Sequence, residues 1–353
     1  MSEPEKEVTI YDIAKKLNIS AATVSRGLKD HPGINKNTKK KILNAASEMG
    51  YRSNSFASSL RKKKSNIIGV IVPRLNSNFM SDVIAGIEKV VNEANYNLFI
   101  SQSLETMKKE ASNAKAMFNN RVDGLLVSLA YNTENIAHFE AFVNRGIPVI
   151  FFDRVYDHKQ CPSIFIDNYK AGYNITTHLI EQGCKRIMHI GGNLLRNVYA
   201  DRFNGYKQAL ADHNMPFDET RLIINDLSAT AGAEAAHAIL KMPEMPDAVF
   251  AANDMCVISC MQVLKKEGIK IPEDIAFAGF NNDPASCVIE PNLTTIDYKG
   301  YEMGEVAAKI LIGHLDNNDD LQQTHSLILR SEMIVRGSSL KKSNQLPNKN
   351  NPC

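Results

Sequence analysis

The sequence contains no run of about 18 apolar residues, which excludes a transmembrane helix. Its first residues, MSEPEKEVTIYD, are polar and acidic and hold no apolar signal core, so export is not expected and the expected compartment is cytoplasmic. There is no CxxC pair, and no His stands at finger spacing from the six cysteines, Cys161, Cys184, Cys256, Cys260, Cys287 and Cys353. Cys256 and Cys260 are i,i+4 and in principle offer two soft ligands, but scattered cysteines without an export signal read as buried, reduced thiols. Enzyme signatures are missing as well: no P-loop, HExxH or GxSxG occurs, and IGGNLLR at 190–196 lacks the third glycine of a dinucleotide loop. His178 and His189 have no partnered nucleophile and read as structural. The expectation is no metal, no cofactor and no enzymatic activity. Tryptophan is also absent, which says nothing about function.

What remains is an ordinary globular composition. Apolar residues make up 44% and charged residues 23% of 353, enough for roughly two to three domains. The net charge of +2 hides an asymmetry. Residues 1–66 carry 14 Lys/Arg against 6 Asp/Glu, a net of +8, and the remainder carries 27 against 33, a net of −6. A basic head on a mildly acidic body points to a polyanionic partner for the head.

The head reads as three short helices. Thr9 is a good N-cap with Asp12 three residues on, and Ile10, Ile13, Ala14 and Leu17 form one apolar helical stripe. Asn18 tolerates the left-handed backbone of a tight turn, and Ser20 caps a second helix whose Val24 and Leu28 pack back on the first. Ile42, Ala45, Ala46 and Met49 repeat the stripe before Gly50. This is the spacing of a helix-turn-helix, whose second helix enters the major groove of DNA. Ala21 and Ala22 would face base edges, where a methyl meets a thymine methyl. Arg26 would reach guanine or a phosphate. Tyr11, Thr23, Ser25 and Thr38 are suited to phosphate oxygens; as plain helix-surface residues, Thr23 and Ser25 would do nothing.

The stretch from VTIYDIAKKLNIS to IIGVIVP, with TIYDIA, ISAATVSR and GYRSNSFASSLR as its signature parts, closely resembles the lactose-repressor/galactose-repressor (LacI/GalR) family of bacterial transcriptional regulators. The resemblance runs to about Arg336. It implies an α plus α/β chain: a lambda-repressor-like helix-turn-helix headpiece (1–52), a hinge helix and linker (53–66), and a periplasmic-binding-protein-like type 1 core of two doubly wound parallel-sheet subdomains. The expected subdomains are 67–160 with 293–320 and 161–292 with 321–340, followed by a disordered tail at 341–353. The chain would cross between them near 157–162, 290–293 and 317–324. SNSFASSLRKKK is too short and polar for a stable lone helix. The resemblance implies that it folds only on DNA, paired with a second chain, with Ala57 allowing close approach and Leu60 wedged into a minor-groove base step. Arg61 and the lysines after it add salt-sensitive backbone contacts. Without the family, the segment is a flexible basic linker. The expected partners are a pseudo-palindromic double-stranded operator, a second copy in a homodimer and a small-molecule effector, with no membrane.

The body alternates apolar runs (IIGVIV, NLFIS, GLLVS, PVIFF, then SIFID, RIMHIGG, RLIIN, AVFAA, IAFAGF) with helical stretches near 79–95, 106–120, 134–145, 169–182, 201–214, 230–241 and 254–267. Such runs fit parallel strands covered on both faces, with a cleft at their carboxyl ends. Residues following strand ends are candidate effector contacts: Phe79, Asp153, Arg196, Arg202, Asn253 and Asn281. Aromatic faces cover sugar rings, and planar amides, carboxylates and guanidinium groups bind vicinal hydroxyls. Each also has a structural alternative as a helix cap or salt-bridge member, as do Asp254 and Asp283. Relatives that bind sugars or purines often carry Asp where this chain has Asn281, and Val198 stands where a purine-binding relative has a hydroxyl. The expected effector is a sugar or sugar derivative, with a purine, nucleoside or phosphoprotein as the alternative. A solute-binding protein or an α/β enzyme would leave the basic head unexplained.

Overall fold

A computed structural model describes residues 8–51, 64–317 and 326–341. The chain divides into two units, residues 1–65 and 66–353.

In the first unit, α1 (Ile10–Leu17) opens with the capping box expected of Thr9 and Asp12 and ends at Asn18, whose φ of 53° is left-handed. α2 (Ala21–Leu28) starts at Ser20, whose hydroxyl accepts the Thr23 N–H at 3.1 Å. α3 (Lys36–Glu48) is capped by Asn35. Ile13, Val24 and Ile42, one from each helix, are fully buried and hold the three together. At roughly 1.5–3 kcal/mol each, they dominate this small core.

In the second unit, β1 (Ile67–Val72), β3 (Gly124–Val127) and β4 (Val149–Phe152) are buried on both faces, as continuous apolar strands of a parallel sheet must be. With β2 (Asn97–Gln102), β5 (Ser163–Ile166) and β11 (Ser326–Leu329) they make a six-stranded sheet in the order β11-β5-β4-β3-β1-β2, parallel throughout. A four-stranded parallel sheet follows in the order β7-β6-β8-β9, from β6 (Ile187–Gly191), β7 (Leu222–Ile224), β8 (Ala248–Ala251) and β9 (Ala276–Ala278). The helices are α4 (Asn78–Glu93), α5 (Met107–Asn119), α6 (Glu140–Val143), α7 (Asn168–Glu181), α8 (Asn197–Asp212), α9 (Ala229–Leu240), α10 (Asp254–Lys266), α11 (Ala285–Val288) and α12 (Gly300–Asn317). A two-stranded antiparallel pair, β10 (Thr295–Asp297) with β12 (Glu332–Ile334), joins the return passages of the chain.

The expected subdomain limits need correction. SIFI at 163–166 pairs with β4 and β11 in the first sheet. The segment 157–162 is therefore a loop within the first lobe, and the chain leaves that lobe after Ile166. β11 likewise belongs to the first lobe, so the last passage follows Leu329 rather than 317–324, of which 318–324 lie outside the described residues. The helix expected at 134–145 shortens to a single 3-10 turn and α6, because the hydroxyl and carbonyl of Thr133 are used elsewhere. The hinge residues Ala57, Leu60 and Arg61, and the tail from 342, also lie outside the described residues. Among the described residues no helix is long and apolar enough to cross a membrane.

Candidate functional site

The helix-turn-helix presents its candidate contacts unevenly. Tyr11 is 71% exposed, Ala22 and Arg26 are exposed, and Thr23, Ser25 and Thr38 are half-buried. Ala21 packs partly on the core. Ser20 spends its acceptor on the Thr23 N–H, and its hydroxyl lies 2.8 Å from that of Thr23. Its first role is to start the helix and so to aim the residues after it.

In the second unit, a cavity of about 410 Å³ opens between the lobes where strands of both sheets end. Phe79, Asp153, Arg202, Asn253 and Asn281 line it, five of the six candidates. Arg202 is brought there by a close helix crossing. α7 and α8 touch at Gly172 and Gly205, where an added Cβ would lie 2.3 Å from the Arg202 carbonyl and 2.1 Å from that of Tyr169. The guanidinium sits 3.4 Å over the Phe280 ring centre; its Nε donates to Asn168 Oδ1 and its Nη1 to the Ala252 carbonyl, both at 2.9 Å. These contacts fix its plane and, among the described residues, leave Nη2 for a ligand. Burial lowers the Arg202 pKa, while Tyr298, Tyr199 and Asp153 oppose the shift.

Phe79 stacks on Tyr298 at 4.2 Å and 26°, giving the cavity a flat aromatic wall. Asp153, at a left-handed φ of 58°, accepts the Tyr298 hydroxyl at 2.8 Å and the Ser128 hydroxyl at 3.1 Å. Burial raises its pKa against the pull of Arg154. With both oxygens engaged, Asp153 orients the aromatic wall more than it offers a free acceptor. Asn253 caps α10, accepting the Cys256 N–H at 3.3 Å, which leaves its amide NH₂ to donate. Asn281 has a φ of 117° and lines the cavity beside Asp283.

Arg196 does not line the cavity. It is 3% exposed, and its Nη2 donates to the Thr133 carbonyl in the other lobe, so its assignment as an effector contact is corrected. The helix begins at Asn197 rather than near 201, which turns Arg196 away from the cleft as the N-cap residue.

Sequence reasoning passed over Arg154, Glu105, Tyr199, Tyr298 and Asp226, which also line the cavity. Arg154 bonds Glu105 at 2.7 Å and the Tyr199 hydroxyl at 2.9 Å. Asp254 is fully buried, accepting the Thr295 hydroxyl and the Asp283 N–H, each at 2.8 Å. Burial, then the charge of Asp283, pushes its pKa up to about 7, and burial with Asp82 pushes Asp283 to about 6. The position after a strand end suggested Asp254 and Asp283 as helix caps, but Asn253 caps α10 and Pro284 stands before α11; nothing local signalled the charge that Asp283 brings to Asp254.

Cys256 and Cys260 are fully buried, and burial raises both thiol pKa values, opposing a metal-binding thiolate. Among the described residues no group of three His, Cys, Asp or Glu side chains is placed to hold a metal ion.

Comparison with known proteins covers both units. Residues 65–331 match the family of periplasmic binding proteins and sugar binding domain of LacI family, and residues 9–54 match bacterial regulatory proteins, lacI family. Catabolite control protein A of Priestia megaterium is 30% identical over 310 residues, 88% of this chain and 93% of that protein. The HTH-type transcriptional repressor CytR of Escherichia coli strain K12 is 30% identical over 339 residues, 95% and 97% of the two chains. Among solved structures, a lac repressor dimer bound to operator and the anti-inducer ONPF has a TM-score of 0.83 at 23% identity, covering 95% of this chain and all of that one. The transcriptional regulator CelR in complex with cellobiose has a TM-score of 0.70 at 23% identity, covering 94% of this chain and all of CelR. At these identities, the two structures speak for the fold.

Proposed function

Because the chain belongs to the LacI family of bacterial regulatory proteins, we propose that this DNA-binding transcriptional regulator acts as a homodimeric repressor on a pseudo-palindromic operator, its affinity set by a small molecule in the inter-lobe cleft. One observation carries the reading: a single chain joins an exposed recognition helix to a polar, aromatic-walled cavity of about 410 Å³. Ala22 and Arg26 read bases, while Tyr11, Thr23, Ser25 and Thr38 hold phosphates. Ala57, Leu60 and Arg61 supply the hinge contacts in the minor groove. In the cleft, the effector lies against Phe79 and takes hydrogen bonds from Arg202 Nη2 and from the amides of Asn253 and Asn281.

A sugar or sugar derivative suits this set best. The Phe79–Tyr298 stack offers a face for a ring, and the planar polar groups suit its hydroxyls. Val198 lines the cavity without a polar atom to offer a purine edge. The protein works as a binding switch rather than an enzyme, in the cytoplasm with its operator. An effector shifts operator affinity only by its unequal affinity for the operator-binding and operator-releasing states of the chain.

Selection of binding sites from randomised duplex DNA with the purified full chain tests the operator half of the proposal. The expected result is a two-fold symmetric enriched motif. Enrichment of a single asymmetric half-site, or of none, would overturn the dimeric reading.

A further inference from the structure

The loop after β3, residues 128–135, is built into a rigid jaw. Glu110 on α5 is fully buried. It accepts the Ala130 N–H at 2.6 Å and the Thr133 hydroxyl at 2.8 Å, with His138 Nε2 also at 2.8 Å. Glu105 accepts the Tyr131 N–H at 3.1 Å, and the Asn132 side chain accepts the Met107 N–H at 2.7 Å. Two acids of the first lobe thus fix Ala130, Tyr131 and Thr133, and the Met107 N–H holds Asn132 between them.

The second lobe grips that jaw. The Tyr131 hydroxyl donates to the Asn225 carbonyl and accepts the Asn193 N–H, both at 2.7 Å. The Asn193 amide donates back to the Tyr131 carbonyl at 3.2 Å. The Tyr131 ring packs on the second lobe's core and lies 6.3 Å from that of Tyr199. Arg196 donates to the Thr133 carbonyl, and Asn197 closes the seam by accepting the Val155 N–H at 3.0 Å and donating to the Asp153 carbonyl at 3.1 Å. Burying Arg196 opposes its charge, as does Arg154, while Glu110 and Glu105 favour it. A buried cation held between two lobes in this way is costly unless those acids stay in place.

We propose that Tyr131 and Arg196 form a catch that holds the two lobes closed with no small molecule present, so that an effector enters a core already closed instead of drawing open lobes together. The IGGNLLR segment, which resembles a dinucleotide loop without its third glycine, is the part of the second lobe that takes the catch. Tyr131 is a positioning residue: it sets the angle between lobes through Asn193 and Asn225. The larger the closed population without ligand, the smaller the affinity loss that opening imposes on any ligand.

The test uses the full chain without added ligand, comparing wild type with Tyr131→Phe, which removes the hydroxyl and keeps the ring. Hydrogen exchange read by mass spectrometry should show the Asn193 amide protected in wild type. It should exchange on the order of tenfold faster in the variant, as loss of two hydrogen bonds of modest net strength implies. Exchange in the helix at 10–17 should not change. Spin labels at positions 115 and 241, carried on a ketone-bearing side chain to spare the native thiols and placed in dimers diluted with excess unlabelled chain, should give one distance within the protomer in wild type and an added, longer one in the variant. Arg196→Gln should do the same wherever circular dichroism shows that it folds. An Asn193 amide that exchanges equally fast in wild type and Tyr131→Phe, or identical distance distributions, would overturn the catch.

Discussion

At the scale of single residues, the cleft depends on side chains whose planes are fixed before a ligand arrives. Arg202 is the clearest case: Phe280, Asn168 and the Ala252 carbonyl hold it, and among the described residues Nη2 has no hydrogen-bond acceptor. Arg202→Ala is expected to abolish the effector's influence on operator affinity while binding to the operator itself persists; electrophoretic mobility shift with and without effector measures both. A variant with a normal effector response would remove Arg202 from the site. Asp254 and Asp283 give the cleft a pH signature. Both have folded-state pKa values raised above the ordinary carboxylate range, so the folded state binds more protons than the unfolded one between about pH 4 and pH 7. Their contribution therefore lowers stability as pH rises through that window. In thermal melts across pH 5 to 8, Asp283→Asn should gain relative to wild type as pH rises. A constant difference between the two curves would mean that the pair does not titrate there. Arg202 and Asn253 were legible because residues after strand ends in an alternating α/β pattern face a cleft. Arg196 satisfied the same rule but caps a helix that starts earlier than its apolar pattern indicates. Tyr131 left no signal: the partners of its hydroxyl lie more than sixty residues away.

Secondary-structure elements were easier to read than their assembly. Three headpiece helices follow from caps and apolar spacing alone, since Thr9, Ser20 and Asn18 act on the backbone within three residues. Ser20→Ala should cost about 1 kcal/mol of headpiece stability, seen in denaturant unfolding, and weaken operator binding similarly across sequences. An unchanged midpoint would remove Ser20 as a cap. Ile42→Ala is harsher. It removes a buried side chain whose loss typically costs roughly 2–5 kcal/mol, a large share of what a domain this small can hold. Operator binding should disappear while a ligand-induced shift in the melting of the second unit survives. Loss of both would mean that the two units do not fold independently. The strands of the core were legible as continuous apolar runs, but the sheet that each joins was not. SIFI looks like any buried strand, and only its pairing with β4 and β11 assigns it to the first lobe. Local sequence does not record which neighbour a strand finds after a crossover.

For the whole molecule, the basic head and acidic body divide the work between a polyanion and a small ligand. On the wedge role proposed for Leu60, Leu60→Ala is expected to cost specific operator affinity and leave the melting temperature nearly unchanged. Unaltered affinity in a fluorescence anisotropy titration would discard the wedge. The most direct measurement is a thermal-shift screen of the full chain and Arg202→Ala against sugars, sugar phosphates, nucleosides and purines. A ligand at 100-fold its dissociation constant stabilises by about 2.7 kcal/mol, which moves melting by several degrees. One chemical class, expected to be a sugar or its derivative, should raise the melting temperature of the wild type and leave Arg202→Ala unmoved. No shift with any class, or an equal shift in both proteins, would contradict a ligand-sensing cleft built around Arg202.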